Sequence, residues 1–312
     1  MAERIRALIA YDGSDYAGGA IGAAARLLPG AEAHVVHVRG APLSLGQSRI
    51  ARVALPDQVI ASAAEKHERA VREEAAAVAE RGAAIAREAG LEATAAVQEA
   101  ESPWRGVCEA AAEPSPDVVV TGSRGQGGLT RAYLGSTSTS LLHQAPCPVL
   151  VVPPGEPDVF GPALIGFDGS DGARAAVRTA ARLLSGRPAV VLHAWRSPVR
   201  RSRAGSALLS APLDELAEIA GDLDEVFAAE AREVADAGAG LARELGLDAT
   251  ARAAESADAG WRALAAAAEA ERAAVIVVGS RGRGAIRSSV LGSVSAGLVH
   301  NAERPVLVHR DR

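Results

Sequence analysis

The sequence predicts an α/β chain of two tandem, doubly wound domains, each built on a five-stranded parallel sheet. Three observations predict it. Residues 117–152 return at 274–309 without a gap, the shift from Gly122 to Gly279 being 157, and 17 of the 33 pairs from position 118 to 150 are identical. Short apolar runs of strand length alternate with longer Ala-, Glu- and Arg-rich stretches of helical character, the pattern of a parallel sheet covered by helices on both faces. The run Pro153-Pro154-Gly155-Glu156-Pro157 between the copies is too proline-rich to continue a central strand. Domain boundaries are therefore expected at 1–153 and 158–312.

Each element follows from local chemistry. Residues 5–10 read as the first strand, ending at Tyr11-Asp12-Gly13-Ser14-Asp15, and 163–167 as its counterpart, ending at Asp168-Gly169-Ser170-Asp171. An alanine-rich helix follows each, closing near Leu27-Leu28 and Leu183-Leu184. Ser14 and Ser170 stand at N-cap positions, with Asp15 and Asp171 in the first turn, where negative charge suits the macrodipole. Second strands are predicted over 33–38 and 189–194, and irregular segments over 40–56 and 197–212. Long charged helices over 57–89 and 213–245 lead to third strands over 92–97 and 248–253. The irregular segments differ between the copies and are the expected lids or partner-binding loops. Helices then begin near Trp104 and Trp261, whose indoles are expected to pack helix to sheet. The fourth strands centre on 118–120 and its copy, and the fifth on 149–152 and 306–309. The order βαβαβαβαβ in each copy requires parallel crossovers.

The fourth strand leads into a glycine-punctuated loop. Both copies carry G-x2-G-x9-G-S: Gly122, Gly125, Gly135 and Ser136 in the first, Gly279, Gly282, Gly292 and Ser293 in the second. A glycine directly after a strand lets backbone come close to a ligand. Exposed N–H groups there form an anion-binding nest, and a helix starting at the G-S pair adds its own unpaired N–H groups. One such loop reads equally as a tight turn; two with the spacing preserved favour phosphate oxygens held by backbone. Asp12 and Asp168 fall where parallel strands deliver their last residues, at the mouth where such sheets bind ligands.

This pattern resembles the ATP-binding signature of the universal stress protein family, G-x2-G-x9-G-[ST], in its tandem-domain form, and the similarity runs over nearly the whole chain. The resemblance implies an adenine nucleotide alpha hydrolase-like, Rossmann-like fold in each half. It also implies that the two final strands associate about a two-fold axis, making a pseudo-dimer within one chain. It implies ATP in each half, with Mg²⁺ on the phosphates, surrounded by the glycines and serines named above and by the following Thr137 and Val294. Asp12 and Asp168 would lie towards the ribose or the phosphate-bound metal. Adenine would lie against backbone just after His37 and His193, at Val38 and Ala194. Arg124 and Arg281, directly before the second glycine of each motif, either reach the phosphates or face solvent. A regulatory role is implied, with an unidentified protein partner; whether two tandem chains pair further stays open.

Composition excludes several classes. With 312 residues, 48% hydrophobic and 23% charged, the chain suits two domains with their own cores, and at 3% aromatic those cores must be Ala, Val, Leu and Ile. A net charge of −5 argues against a chain-wide nucleic-acid footprint, and Arg200, Arg201 and Arg203 read as a solvated loop. Two cysteines, Cys108 and Cys147, in no metal-ligand pattern indicate neither a disulfide framework nor zinc. The first strand begins almost at once and no apolar run reaches membrane length, so a cytoplasmic location and no membrane partner are expected. No G-x-x-x-x-G-K-[ST], G-x-S-x-G or H-E-x-x-H occurs, which leaves turnover without its usual residues; slow hydrolysis by backbone donors and metal stays open. A dinucleotide-binding dehydrogenase would carry its glycines after the first strand, and an adenylating enzyme S-G-G-x-D-S there; this chain has neither. A nucleotide-free interaction module is the other alternative.

Overall fold

The computed structural model describes residues 4–40, 57–112, 115–125, 134–155, 157–197, 213–256, 259–282 and 291–310, with backbone only at 57–61 and 213–222. The first half runs β1 (Arg6–Ala10), α1 (Asp15–Leu27), β2 (Glu32–Arg39), α2 (Asp57–Glu88), β3 (Glu92–Glu99), α3 (Pro103–Ala110), β4 (Val118–Gly122), α4 (Ser136–Gln144) and β5 (Val149–Val152). The second half repeats it: β6 (Ala163–Gly166), α5 (Asp171–Leu183), β7 (Ala189–Trp195), α6 (Leu213–Glu244), β8 (Ala249–Glu255), α7 (Gly260–Ala270), β9 (Val275–Gly279), α8 (Ser293–Asn301) and β10 (Val306–His309). The expected loops at 41–56 and 198–212, with Arg200, Arg201 and Arg203, lie outside the described residues.

All ten strands form one sheet, ordered β3-β2-β1-β4-β5-β10-β9-β6-β7-β8. Within each half every pairing is parallel, which a chain of right-handed βαβ crossovers produces. The halves join where β5 and β10 run antiparallel, with Val306 opposite Val151, Leu307 opposite Leu150 and Val308 opposite Val149. Each half thus covers the other's apolar edge strand, and the chain is an intramolecular pseudo-dimer.

Helices α1, α2, α5 and α6 cover one face of the sheet, and α3, α4, α7 and α8 cover the other. Alanine allows the close approach: Ala20, Ala23 and Ala24 of α1 and Ala176 and Ala180 of α5 are buried against strand valines and isoleucines. As expected, Ser14 and Ser170 cap α1 and α5, each hydroxyl accepting from the N–H three residues on at 3.2 Å.

The third strands extend beyond the predicted ends because their pairing does. β2 and β3 stay in register to Arg39 opposite Glu99, which form an ion pair, and β7 and β8 to Trp195 opposite Glu255. Trp104 and Trp261 both pack on the core on the α3, α4, α7 and α8 face of the sheet, and Trp261 has a second contact. Trp261 packs against another helix, since a Cβ at Gly297 of α8 would overlap its indole. Arg105 and Arg262 lie over the rings of Trp104 and Trp261 at 5.5 and 5.3 Å from the centroids. Cys108 and Cys147 are free thiols, half-buried and buried, and burial pushes the Cys108 thiol up.

Candidate functional site

At the carboxyl ends of β1, β2 and β4 the first half opens a cleft of about 390 Å³. β1 hands over to Asp12 through Tyr11, whose N–H donates to the Val36 carbonyl at 2.9 Å and whose carbonyl accepts from His37 Nδ1 at 2.9 Å. A carbonyl can only accept, so that histidine nitrogen carries the proton. His37 thereby fixes the end of β2, next to Val38, to the end of β1, next to Asp12. Asp12 Oδ1 accepts from the Ser14 N–H at 3.0 Å, an Asx turn that leads into α1. Burial, the larger cause, and the Asp12 charge raise the Tyr11 phenol above its usual range, against Arg81.

The glycine loop is tied from both sides. Ser123 N–H donates to the Val152 carbonyl at 2.7 Å, and Gly135 N–H to the Ser123 carbonyl at 2.8 Å, so the G-S pair returns beside the strand it left. Gly135 caps α4 with no side-chain hydrogen bond, and Gly135, Ser136, Thr137 and Ser138 at the start of the helix line the cleft. The Ser138 hydroxyl is buried and donates to the Gly122 carbonyl at 2.7 Å.

The two leading glycines also pack tightly against neighbouring backbone. A Cβ at Gly122 would stand 3.2 Å from the Tyr16 carbonyl oxygen, and one at Gly279 only 2.7 Å from the Gly172 carbonyl carbon. Both glycines therefore make room for the backbone of α1 or α5, and Gly122 also lines the cleft. Gly125 and Gly282 face the strand-end carboxylates: a Cβ would lie 2.5 Å from Asp12 Oδ2 or 2.7 Å from Asp168 Oδ2.

The second half repeats the frame. His193 Nδ1 donates to the Phe167 carbonyl at 2.7 Å, and Asp168 Oδ1 accepts from the Ser170 N–H at 3.0 Å and its hydroxyl at 2.5 Å. Gly292 N–H returns to the Ser280 carbonyl at 2.8 Å, and Ser295 Oγ donates to the Gly279 carbonyl at 2.8 Å. Val294 and Ala194 both lie beside Gly260, where a Cβ would be 3.4 Å from the Val294 methyl and 4.0 Å from the Ala194 Cβ.

The universal stress protein family profile matches residues 4–153 and 160–310, that is, once in each half. The chain belongs to the universal stress protein family. It is 34% identical over 216 residues to a universal stress protein of Mycolicibacterium smegmatis, covering 64% of each chain, and 34% identical over 200 residues to one of Mycobacterium tuberculosis, covering 62% of each. The chain thus spans somewhat under two thirds of the length of these relatives. A universal stress protein of Archaeoglobus fulgidus shares its fold, with a TM-score of 0.56 at 18% identity over 98% of both chains.

In this universal stress protein, all eight residues singled out in the first half, Asp12, Val38, Gly122, Arg124, Gly125, Gly135, Ser136 and Thr137, line one cleft. In the second, Asp168 meets Gly282, Gly292 lies beside Arg281, and Ala194 and Val294 both lie beside Gly260. Gly279 ends β9 and Ser293 opens α8. The sequence reading missed the wall formed by Pro103 and Val107 of α3, which no spacing connects to the motif. It also missed Ser138 and Ser295, although their identity across the repeat was a usable signal. Arg124 settles over the Tyr16 ring, 5.8 Å from its centroid, while lining the cleft. Among the described residues no helix is long and apolar enough to cross a membrane, and no three His, Cys, Asp or Glu side chains gather to hold a metal.

Proposed function

We propose that the two halves, residues 1–153 and 158–312, are two ATP-binding domains and that the protein acts as a nucleotide-dependent regulator rather than a catalyst. The observation that carries this is the convergence of Asp12, the glycine loop and the N-terminus of α4 on one cleft that also contains Val38. Helix N–H groups and loop amides suit phosphate oxygens, and the backbone beyond Val38 and Ala194 suits an adenine edge. Ser136, Thr137 and Ser293 add hydroxyls beside the phosphates, while Val294 adds only a methyl surface, so the second site has one hydrogen-bonding group fewer.

Mg²⁺ would come with the phosphates. Asp12 and Asp168, at the strand ends beside the glycine loops and with Oδ1 accepting from the following turn, would stand towards a cation that takes most of its ligands from phosphate and water. Regulation would follow from ordering the glycine loops, read by a protein partner, with ATP as the signal and the cytoplasm as the compartment.

Isothermal titration of the full chain with MgATP tests the reading. Two sites per chain are expected, with Gly125→Val removing one and Gly282→Val the other, because each new side chain must displace a carboxylate. No saturable binding to the unmodified chain would overturn it.

A further inference from the structure

The seam between the halves has two pseudo-equivalent sides, and they differ. On one, Arg310 just beyond β10 reaches onto α4 of the first half, where its Nη1 donates to the Leu142 carbonyl at 2.7 Å. That carbonyl lies in the last turn of α4, and the residue four further on is Pro146, which has no N–H to offer. A guanidinium therefore completes the helix end. It is half-buried: burial lowers its pKa, with Cys108, Arg281 and Cys147 as its ionisable neighbours.

On the other side the residue equivalent to Arg310 is Pro153, and Val299 of α8 is equivalent to Leu142. Pro153 and Val299 here line a cleft of about 700 Å³ that also includes Tyr16, Arg124, His300 and Glu303. Aligning the two sides shows what the cleft lacks. Glu303 stands where the first half has Pro146, which adds a carboxylate. Arg304 replaces Cys147, but its partner Glu269 replaces Ala112 as well. Arg304 also lines the cleft, and its charge is matched: Nε donates to Glu269 at 3.0 Å and Nη1 to the Asp158 carbonyl at 3.0 Å. Relative to its twin, this side has gained the carboxylates Glu303 and Glu269 and the guanidinium of Arg304, and has lost the guanidinium of Arg310. Arg124 is a further cation on its wall, shared with the first-half cleft and stacked on Tyr16.

We propose that the cleft beside Pro153 binds a small alkyl guanidinium, its head directed at the C-terminal carbonyls of α8 as Arg310 is directed at Leu142. A helix C-terminus favours cations by its dipole and its unpaired carbonyls. Guanidinium presents donors in a planar fork and is weakly hydrated, which suits a half-buried carbonyl site next to an aromatic ring. The cleft falls within the usual size of small-molecule sites, about 300–1,000 Å³.

Isothermal titration of the full chain with butylguanidinium, against neutral butylurea, decides it. One guanidinium per chain is expected, with at least tenfold weaker binding of the urea. Pro153→Arg supplies the missing side chain and should abolish binding. Arg310→Ala should open the twin site and raise the stoichiometry to two. No saturable binding to the unmodified chain, equal binding of the urea, or a stoichiometry unchanged in Pro153→Arg overturns the proposal. Should Pro153→Arg lose its circular dichroism, Arg310→Ala decides alone, a stoichiometry that stays at one counting against it. None of these outcomes depends on whether ATP binds.

Discussion

Asp12 closes on Gly125: the carboxylate oxygen Oδ2 stands 2.5 Å from where a Cβ on Gly125 would be. Asp168 and Gly282 repeat the relationship at 2.7 Å. A strand end and a loop separated by more than a hundred residues thus share one contact, so that a side chain placed at either glycine must displace its carboxylate.

Gly125→Ala is expected to push the Asp12 carboxylate aside and to weaken ATP at the first site at least tenfold, leaving the second unchanged. Neither Gly125 nor Gly282 has a positive φ, so backbone strain adds nothing to the effect. Calorimetric titration reads it, and two unaltered sites would refute the expectation.

Ser138→Ala should destabilise the first half. Its buried hydroxyl serves the Gly122 carbonyl at 2.7 Å. That carbonyl keeps the Thr121 hydroxyl at 3.1 Å, so the loss is that of one hydrogen bond, about 0.5–1.5 kcal/mol. Urea unfolding followed by circular dichroism should show a lower midpoint, and ATP affinity should fall with it because the same carbonyl shapes the loop.

Two helix glycines should resist replacement by a better helix former. A Cβ at Gly82 would lie 2.6 Å from the Tyr11 ring, and one at Gly238 2.6 Å from the Phe167 ring. Alanine gains about 1 kcal/mol of helix propensity, but overpacking a filled site costs about 1–3 kcal/mol. Gly82→Ala and Gly238→Ala should therefore lower Tm, and a rise in either would show that the rings can give way.

Acid should loosen the edge of the sheet at Arg39. Its buried guanidinium pairs with Glu99 and, at 2.8 Å, with Glu68, and the hydrogen bond to Arg39 is the main reason the Glu68 carboxyl lies below its ordinary value of 4.5. A carboxyl with a depressed folded pKa adds stability that is present above 4.5 and is lost as pH falls through the folded value. Arg39→Met should flatten this loss on the acid side of pH 4.5, as measured by urea midpoints across pH, since the pair then has no charge to hold.

Much of the fold was legible because the chain states it twice. Val118 and Val120, fully buried in β4, and their counterparts Val275 and Val277 announce strands covered on both faces, and a chain that alternates such strands with helices has few topologies open to it. The glycine motif likewise gave the positions around the cleft, because backbone sites are written as missing side chains at fixed spacing. The α3 wall was not legible: Pro103 and Val107 reach the cleft only because α3 packs on the opposite face from α1, and no local pattern encodes that.

By itself the sequence determined two copies, the succession of strands and helices along each, their capped helices and the residues at each strand end, since all of these depend on local spacing and side-chain chemistry. Only the tertiary structure decided what Gly122 makes room for, that Trp261 covers a helix, and that Arg310 and Pro153 give the two sides of the seam different surfaces. Those are contacts between parts distant in the chain, set by which backbones approach within a few ångströms, and the distance between two residues in sequence carries no record of that approach.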